Sequence, residues 1–201
     1  MQYFSRLYDL AVLNLLFLLT CLPIFTIGAA NAALYTVCFR MDTEKEVGIF
    51  RGYFRAFREN FRQGTILWLI LVLFGGACTV NLALFSQLGG ILQLLWAVFA
   101  VLLAVDLMLF SYVFPLLSLF CSSTKACLKN ALLLGLAYLP RTVPVCLVNI
   151  FPWAILAMNL YAFLNMAFAW VFVYFSAAAY LNSKLMNQVF APYLANEEET
   201  K

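Results

Sequence analysis

Long apolar runs alternate with short polar patches along this chain, and within each run the apolar residues are continuous instead of alternating. A continuous run of about 20 apolar residues predicts a membrane-spanning α-helix, whereas a barrel strand would alternate apolar and polar positions. Two short bands cover 7–22 and 24–39. They are divided by Pro23, which cannot continue a helix's hydrogen bonding. Longer bands cover 65–85 and 91–120, separated by Ser86-Gln87-Leu88-Gly89-Gly90. The last, 143–181, is long enough for two spans, with its break expected between Asn159 and Asn165. The expected fold is all-α: a polytopic transmembrane helical bundle forming a single integral membrane domain over 1–201, with one or two cytoplasmic interfacial amphipathic helices.

Composition removes the soluble alternative. The chain is 66% hydrophobic and 10% charged, with a mean hydropathy of +0.95, far too apolar to cover a water-exposed surface. A net charge of +3 is too small to imply nucleic-acid binding. The placement of charge matters more, because all 12 Lys and Arg lie outside the apolar bands. Six spans with both termini cytoplasmic put every Lys and Arg on the inner side and leave the outer turns near Pro23, Ser86 and Asn165 without any. Five spans, with 7–39 crossing once, would strand Arg6 outside. The first two bands are short for spans, so they either tilt little, thin the bilayer or form a re-entrant pair.

Arg6, the following apolar run and Ala29-Ala30-Asn31-Ala32-Ala33 imitate a secretory signal. Asp9 offsets Arg6, however, and a second apolar stretch follows, so a retained hairpin is expected. The acidic tail over 195–201 is expected to be disordered.

The strongest pattern lies in residues 50–62. Phe50, Phe54, Phe57 and Phe61 recur at helical spacing, and Arg51, Arg55, Arg58 and Arg62 recur one residue later. An aromatic stripe beside a guanidinium stripe suits a helix in the headgroup plane, rings toward acyl chains and Arg toward the phosphates of anionic lipids. The expectation is an interfacial amphipathic helix that anchors the flanking spans; docking a partner is the alternative. A fainter echo, Lys125, Lys129 and Arg141 around the apolar stretch 131–139, hints at two related halves.

Asp106 is the acidic residue that falls well inside an apolar band. An intramembrane carboxylate must face the bundle interior and be paired or protonated. Asn14 and Asn31 are candidate partners for a polar site, with Asn81, Asn149 and Asn159 as further options. Such a site reads either as proton- or cation-linked or as an interhelical hydrogen bond from a neutral Asp.

Catalytic and cofactor chemistry finds no footing. The chain has no His, and its six Cys form no C-x-x-C pair, so they read as small packing residues; Cys121 and Cys127 are a remote metal or redox option. Phosphate-binding glycine loops and nucleophile elbows are absent. The expectation is a protein that is not an enzyme and holds no cofactor or metal.

Several stretches together carry a resemblance: 13–17 with 22–30, 54–63, Tyr112-Val113-Phe114-Pro115-Leu116, Leu128-Lys129-Asn130-Ala131-Leu132 and Leu139-Pro140-Arg141-Thr142. The chain resembles the YesL family of bacterial integral membrane proteins, a domain of unknown function, over nearly its whole length. The resemblance implies residence in the bacterial cytoplasmic membrane and an association with carbohydrate uptake, with components of ATP-binding-cassette sugar importers as partners. It supplies no site residues. Two functions follow as expectations: an accessory or interaction component of that machinery, or a small proton- or cation-coupled permease using Asp106.

Overall fold

A computed structural model describes residues 2–41, 48–86, 93–120 and 123–199. The apolar bands are helices in it, as expected. In chain order these are α1 (Gln2–Cys21), a 3-10 turn (Ile24–Thr26), α2 (Ile27–Arg40), α3 (Ile49–Ser86), α4 (Gln93–Leu119), α5 (Thr124–Ala137), α6 (Leu139–Met158), α7 (Leu160–Asn165), α8 (Ala167–Ala169), a π-helical turn (Trp170–Tyr174) and α9 (Phe175–Glu199). Among the described residues no strand occurs. Among the described residues, three helices are long and apolar enough to cross a membrane: α3, residues 94–119 of α4, and α6.

Both internal breaks follow local chemistry. Pro23 takes an extended conformation at φ −77°, ψ 108° and starts the 3-10 turn, where the Thr26 hydroxyl donates to the carbonyl of Pro23 at 2.6 Å. Asn159 breaks the last band at φ −158°, ψ 109°. Its side-chain oxygen accepts the backbone N–H groups of Tyr161 and Ala162 at 2.9 and 3.2 Å, satisfying orphan donors at the start of α7. The Gln87–Gly90 part of the turn expected at Ser86–Gly90 lies outside the described residues, as does Cys121.

The core is built around α2, whose residues 28–39 are all buried except Asn31. Its small residues permit this. A Cβ on Gly28 would collide with the Gly64 carbonyl of α3, and one on Gly64 would lie 2.9 Å from the Ala29 Cα. Such main-chain contact is how helices associate in lipid, where packing replaces hydrophobic exclusion as the driving force. Leu67 and Leu71 continue this buried face of α3, and Tyr112, Val113 and Phe114 of α4 close the core with Val189 and Phe190 of α9.

This crossing fixes an offset. Gly64 stands where the apolar band of α3 begins, and the 22 residues from there to Ser86 extend about 33 Å. Pro23, five residues before Gly28, lies within about 18 Å of the crossing by chain reach. The tip of the α1–α2 hairpin therefore ends about 15 Å or more short of the far end of α3. Consistent with that, Leu73, Val80, Leu84, Leu94 and Val101 on the distal α3–α4 hairpin are exposed.

Two helices run beyond their expected bounds. Residues 50–62 are not a separate element: they open α3, a single helix of 38 residues. Gly64, a plausible stop in sequence, is held in the helix by its contact with α2. The tail expected to be disordered over 195–201 is helical as far as Glu199, because Ala195 and Glu197 to Glu199 are helix formers that propagate α9.

Candidate functional site

The Phe and Arg stripes lie on the outer side of the first third of α3. Tyr53 and Ala56 form its inner side, and the Tyr53 hydroxyl meets Thr20 Oγ1 of α1 at 2.6 Å. Arg51, Arg55, Arg58 and Arg62 are exposed, as are Phe50, Phe54 and Phe61, while Phe57 is half-buried against the core. The rings form a ladder, with centroids 5.0 Å apart for Phe50 and Phe54 and 5.6 Å for Phe57 and Phe61. Arg55 donates to Glu59 at 2.9 Å, one turn on. The hydrogen bond and charge of Glu59 raise the pKa of the Arg55 guanidinium above its ordinary value. The outer face thus offers four guanidinium groups beside three exposed rings.

Asp106, Asn14 and Asn31 do not form one site. The Asp106 carboxylate faces α3, with Oδ2 against the bare Cα of Gly75. Its Oδ1 is buried and accepts no hydrogen bond. Glycine makes room for the carboxyl group there, and Thr79 donates to the Gly75 carbonyl at 2.8 Å. Asn31 is half-buried on α2. Asn81 donates to its own helix at Ala77, and Asn159 caps α7.

Asn14, wholly buried, is committed to the π-turn. Its Nδ2 donates to the carbonyls of Trp170 and Val171 at 3.0 and 2.6 Å, and its Oδ1 accepts the Ser176 N–H at 2.9 Å. A π-turn shifts the i→i−4 ladder and leaves main-chain groups without their usual partners. One carboxamide supplies the acceptor and both donors needed here.

A second polar chain joins four helices. Asn182 of α9 donates to Asn149 Oδ1 of α6 at 3.0 Å and to the Tyr35 hydroxyl of α2 at 3.3 Å. Asn149 in turn donates to Ser111 Oγ of α4 at 3.0 Å. Asn182 Oδ1 is buried without a partner. The sequence reading named Asn149 but missed Asn182. It lies just past the apolar band ending at 181, and the signal it offered was the adjoining pair Asn182-Ser183, both wholly buried. Nearby, Pro152 cannot donate to the Val148 carbonyl four residues earlier, and the Tyr174 hydroxyl takes that role at 2.7 Å.

Cys127 is buried, with its thiol donating to the Val113 carbonyl of α4 at 3.4 Å. Burial pushes that thiol up to about 12, so it acts as a packing group joining α5 to α4.

Comparison with known proteins adds a family-level likeness. Residues 10–82 match the model of a family described as "Protein of unknown function, DUF624". That region runs from α1 through most of α3 and includes the Gly28–Gly64 crossing and the Phe and Arg stripes. The chain is also 26% identical over 157 residues to a Bacillus subtilis (strain 168) protein described as "Uncharacterized protein YteU", covering 78% of this chain and 71% of that one. No solved structure matches. These findings support a relationship to the DUF624 family, and the apolar helices are consistent with a membrane protein.

Proposed function

We propose that this chain is an accessory, non-enzymatic component of the bacterial cytoplasmic membrane, of YesL type, associated with carbohydrate uptake through importers of the ATP-binding-cassette class. The observation that carries the proposal is the use made of polar side chains inside the bundle. Asn14 ties α1 to the π-turn, and Asn182, Asn149, Ser111 and Tyr35 tie four helices together. A translocation path needs polar groups turned toward a passage; these are spent on holding helices to one another, which suits a scaffold.

The contact surface in this reading is the outer face of residues 50–62. A helix of 38 residues is about 57 Å long against a hydrocarbon core of about 30 Å, so α3 reaches well beyond the acyl region. With both termini cytoplasmic, as the one-sided Lys and Arg distribution supports, the extension is on the inner side. There Arg51, Arg55, Arg58 and Arg62 meet anionic headgroups or an acidic patch on an importer subunit. A photo-crosslinking residue at Arg58, used in native membranes, tests the proposal. Capture of importer subunits, lost when the four Arg become Gln, is the expected result; capture of none would overturn it.

One observation favours a second reading, a small proton- or cation-coupled permease: Asp106 Oδ1 is buried and unpartnered. A buried carboxyl oxygen with no donor to satisfy it suits a group that binds a proton or cation in turn. Uptake by purified protein in liposomes separates the two readings.

A further inference from the structure

We propose that one water molecule is bound inside the bundle where α2, α6 and α9 meet, bridging the Tyr35 hydroxyl and the Asn182 carboxamide. Both groups are withdrawn from the surface: Asn182 is wholly buried and Tyr35 is 5% exposed. Asn182 Nδ2 donates twice, to Asn149 Oδ1 at 3.0 Å and to the Tyr35 hydroxyl at 3.3 Å. Its Oδ1 accepts nothing. The Tyr35 hydroxyl accepts from Asn182, and among the described residues its own proton reaches no acceptor. An unmet acceptor and an unmet donor thus belong to one bonded pair, in a place where each is costly to leave without a partner.

The direction of the polar chain fixes which atoms are left over. The Ser111 proton goes to the Leu107 carbonyl at 2.9 Å, so Ser111 Oγ accepts from Asn149 Nδ2 and Asn149 Oδ1 accepts from Asn182. Turning the Asn182 amide over would set two carbonyl oxygens against each other and strand Nδ2 instead. Either way, one end of that carboxamide needs a partner from outside the chain. The ligand class follows from the pair. A cation would meet the Tyr35 proton, an anion would meet Asn182 Oδ1, and a larger hydroxylic molecule cannot reach groups this buried without opening the bundle. Water accepts and donates at once, and the two ends of one carboxamide are close enough for a single molecule to serve Oδ1 and the hydroxyl bonded to Nδ2. Packing beside the pair is not tight. Ala178 and Ala179 stand one turn before Asn182, and Val148 and Leu181, the residues before the two amides, line a groove of about 430 Å³ between α6 and α9. The bridge joins α2 to α9 whether the protein is an accessory component or a permease.

Water-edited solid-state NMR of the full-length protein in bilayers, with isotope-labelled asparagine and tyrosine, tests this against controls in the same sample. Asn130 is exposed and reports the rate of magnetisation transfer from solvent water. Asn14 is as buried as Asn182, but both ends of its carboxamide are paired within the chain. The Asn182 side chain and the Tyr35 ring are expected to receive magnetisation from water several-fold faster than Asn14. Asn182→Leu, which keeps the volume and removes the acceptor, should slow transfer to Tyr35 to the Asn14 rate while Asn14 and Asn130 are unchanged. Transfer to Asn182 in the wild type no faster than to Asn14 overturns the assignment without recourse to any variant. Transfer to Tyr35 that is unaltered in Asn182→Leu would also overturn it.

Discussion

The Asn14 side-chain oxygen accepts the backbone N–H of Ser176 at 2.9 Å, joining residues 162 apart in sequence. The same carboxamide donates to Trp170 and Val171, so one side chain of α1 completes the hydrogen bonding of the π-turn that leads into α9. Asn14→Leu would remove the partner of two buried main-chain groups, the Trp170 carbonyl and the Ser176 N–H, and of the part-buried Val171 carbonyl. A loss of about 2 kcal/mol is expected, because interhelical bonds in membranes are individually modest but here act together. Asn14→Asp keeps the acceptor and removes both donors, and should also destabilise. Thermal unfolding in detergent measures both; melting temperatures equal to wild type would contradict the assignment.

The short reach of the α1–α2 hairpin predicts its accessibility. A cysteine at Leu22, beside the tip, should resist a membrane-impermeant maleimide added from outside, while a cysteine at Gln87 should react readily. Each is best placed in a background whose native cysteines are serine. Reporter fusions near Glu44 and Ser123 should read as cytoplasmic. Equal labelling at Leu22 and Gln87 would mean that the hairpin crosses the bilayer completely.

Cys127 supplies a pH-dependent outcome. The thiolate is the reactive form, and burial shifts its formation up to about 12, against about 8.5 for a free thiol. The neutral thiol is thus favoured by folding. That contribution to stability is present below the usual thiol range and declines as pH rises toward 12. Peptide-level mass spectrometry after maleimide treatment at pH 8 should find Cys127 unmodified in folded protein and modified after denaturation. Rapid labelling of the folded protein would show that α5 does not stay packed on α4.

Asp106 decides between scaffold and permease. Under the accessory reading, purified protein in liposomes shows no flux across a panel of sugars and cations. Asp106→Asn then assembles with wild-type yield, since the amide keeps size and hydrogen-bonding capacity. Asp106→Leu packs a branched side chain against Gly75 and should lower yield. Robust uptake by the wild type that is lost in Asp106→Asn would instead establish the permease.

The helices and their breaks were legible because each rests on local chemistry. Pro23 and Asn159 act within a few residues of themselves, and apolar run lengths report the solvent directly. The continuity of residues 50–62 with the following span was hidden at Gly64. In sequence a glycine reads as a weak point; its role as a crossing depends on Gly28, which no local pattern connects to it. The polar groups were recognisable as costly in hydrocarbon, but their pairing was not. Asn14, Asn31 and Asp106 were grouped by type, whereas the fold sends Asn14 to the π-turn and Asp106 to Gly75. The π-turn itself has no signature in 170–174, since what stabilises it comes from α1.

The burial of α2 sets an order on biosynthesis. Its 14 residues rise about 21 Å, too short to cross hydrocarbon alone, and its neighbours include α3, α4 and α9. A nascent chain released as far as α2 has none of these helices to pack against. The partners of Asn14 follow it by more than 150 residues, so α1 leaves the ribosome long before it can reach its final hydrogen bonds. Gly64 of α3 is available to cover the small-residue face of α2 long before then, but until synthesis passes Ser176 the Asn14 carboxamide stays in the bilayer without its final partners, and interruption before that point leaves a fragment with that polar group unsatisfied.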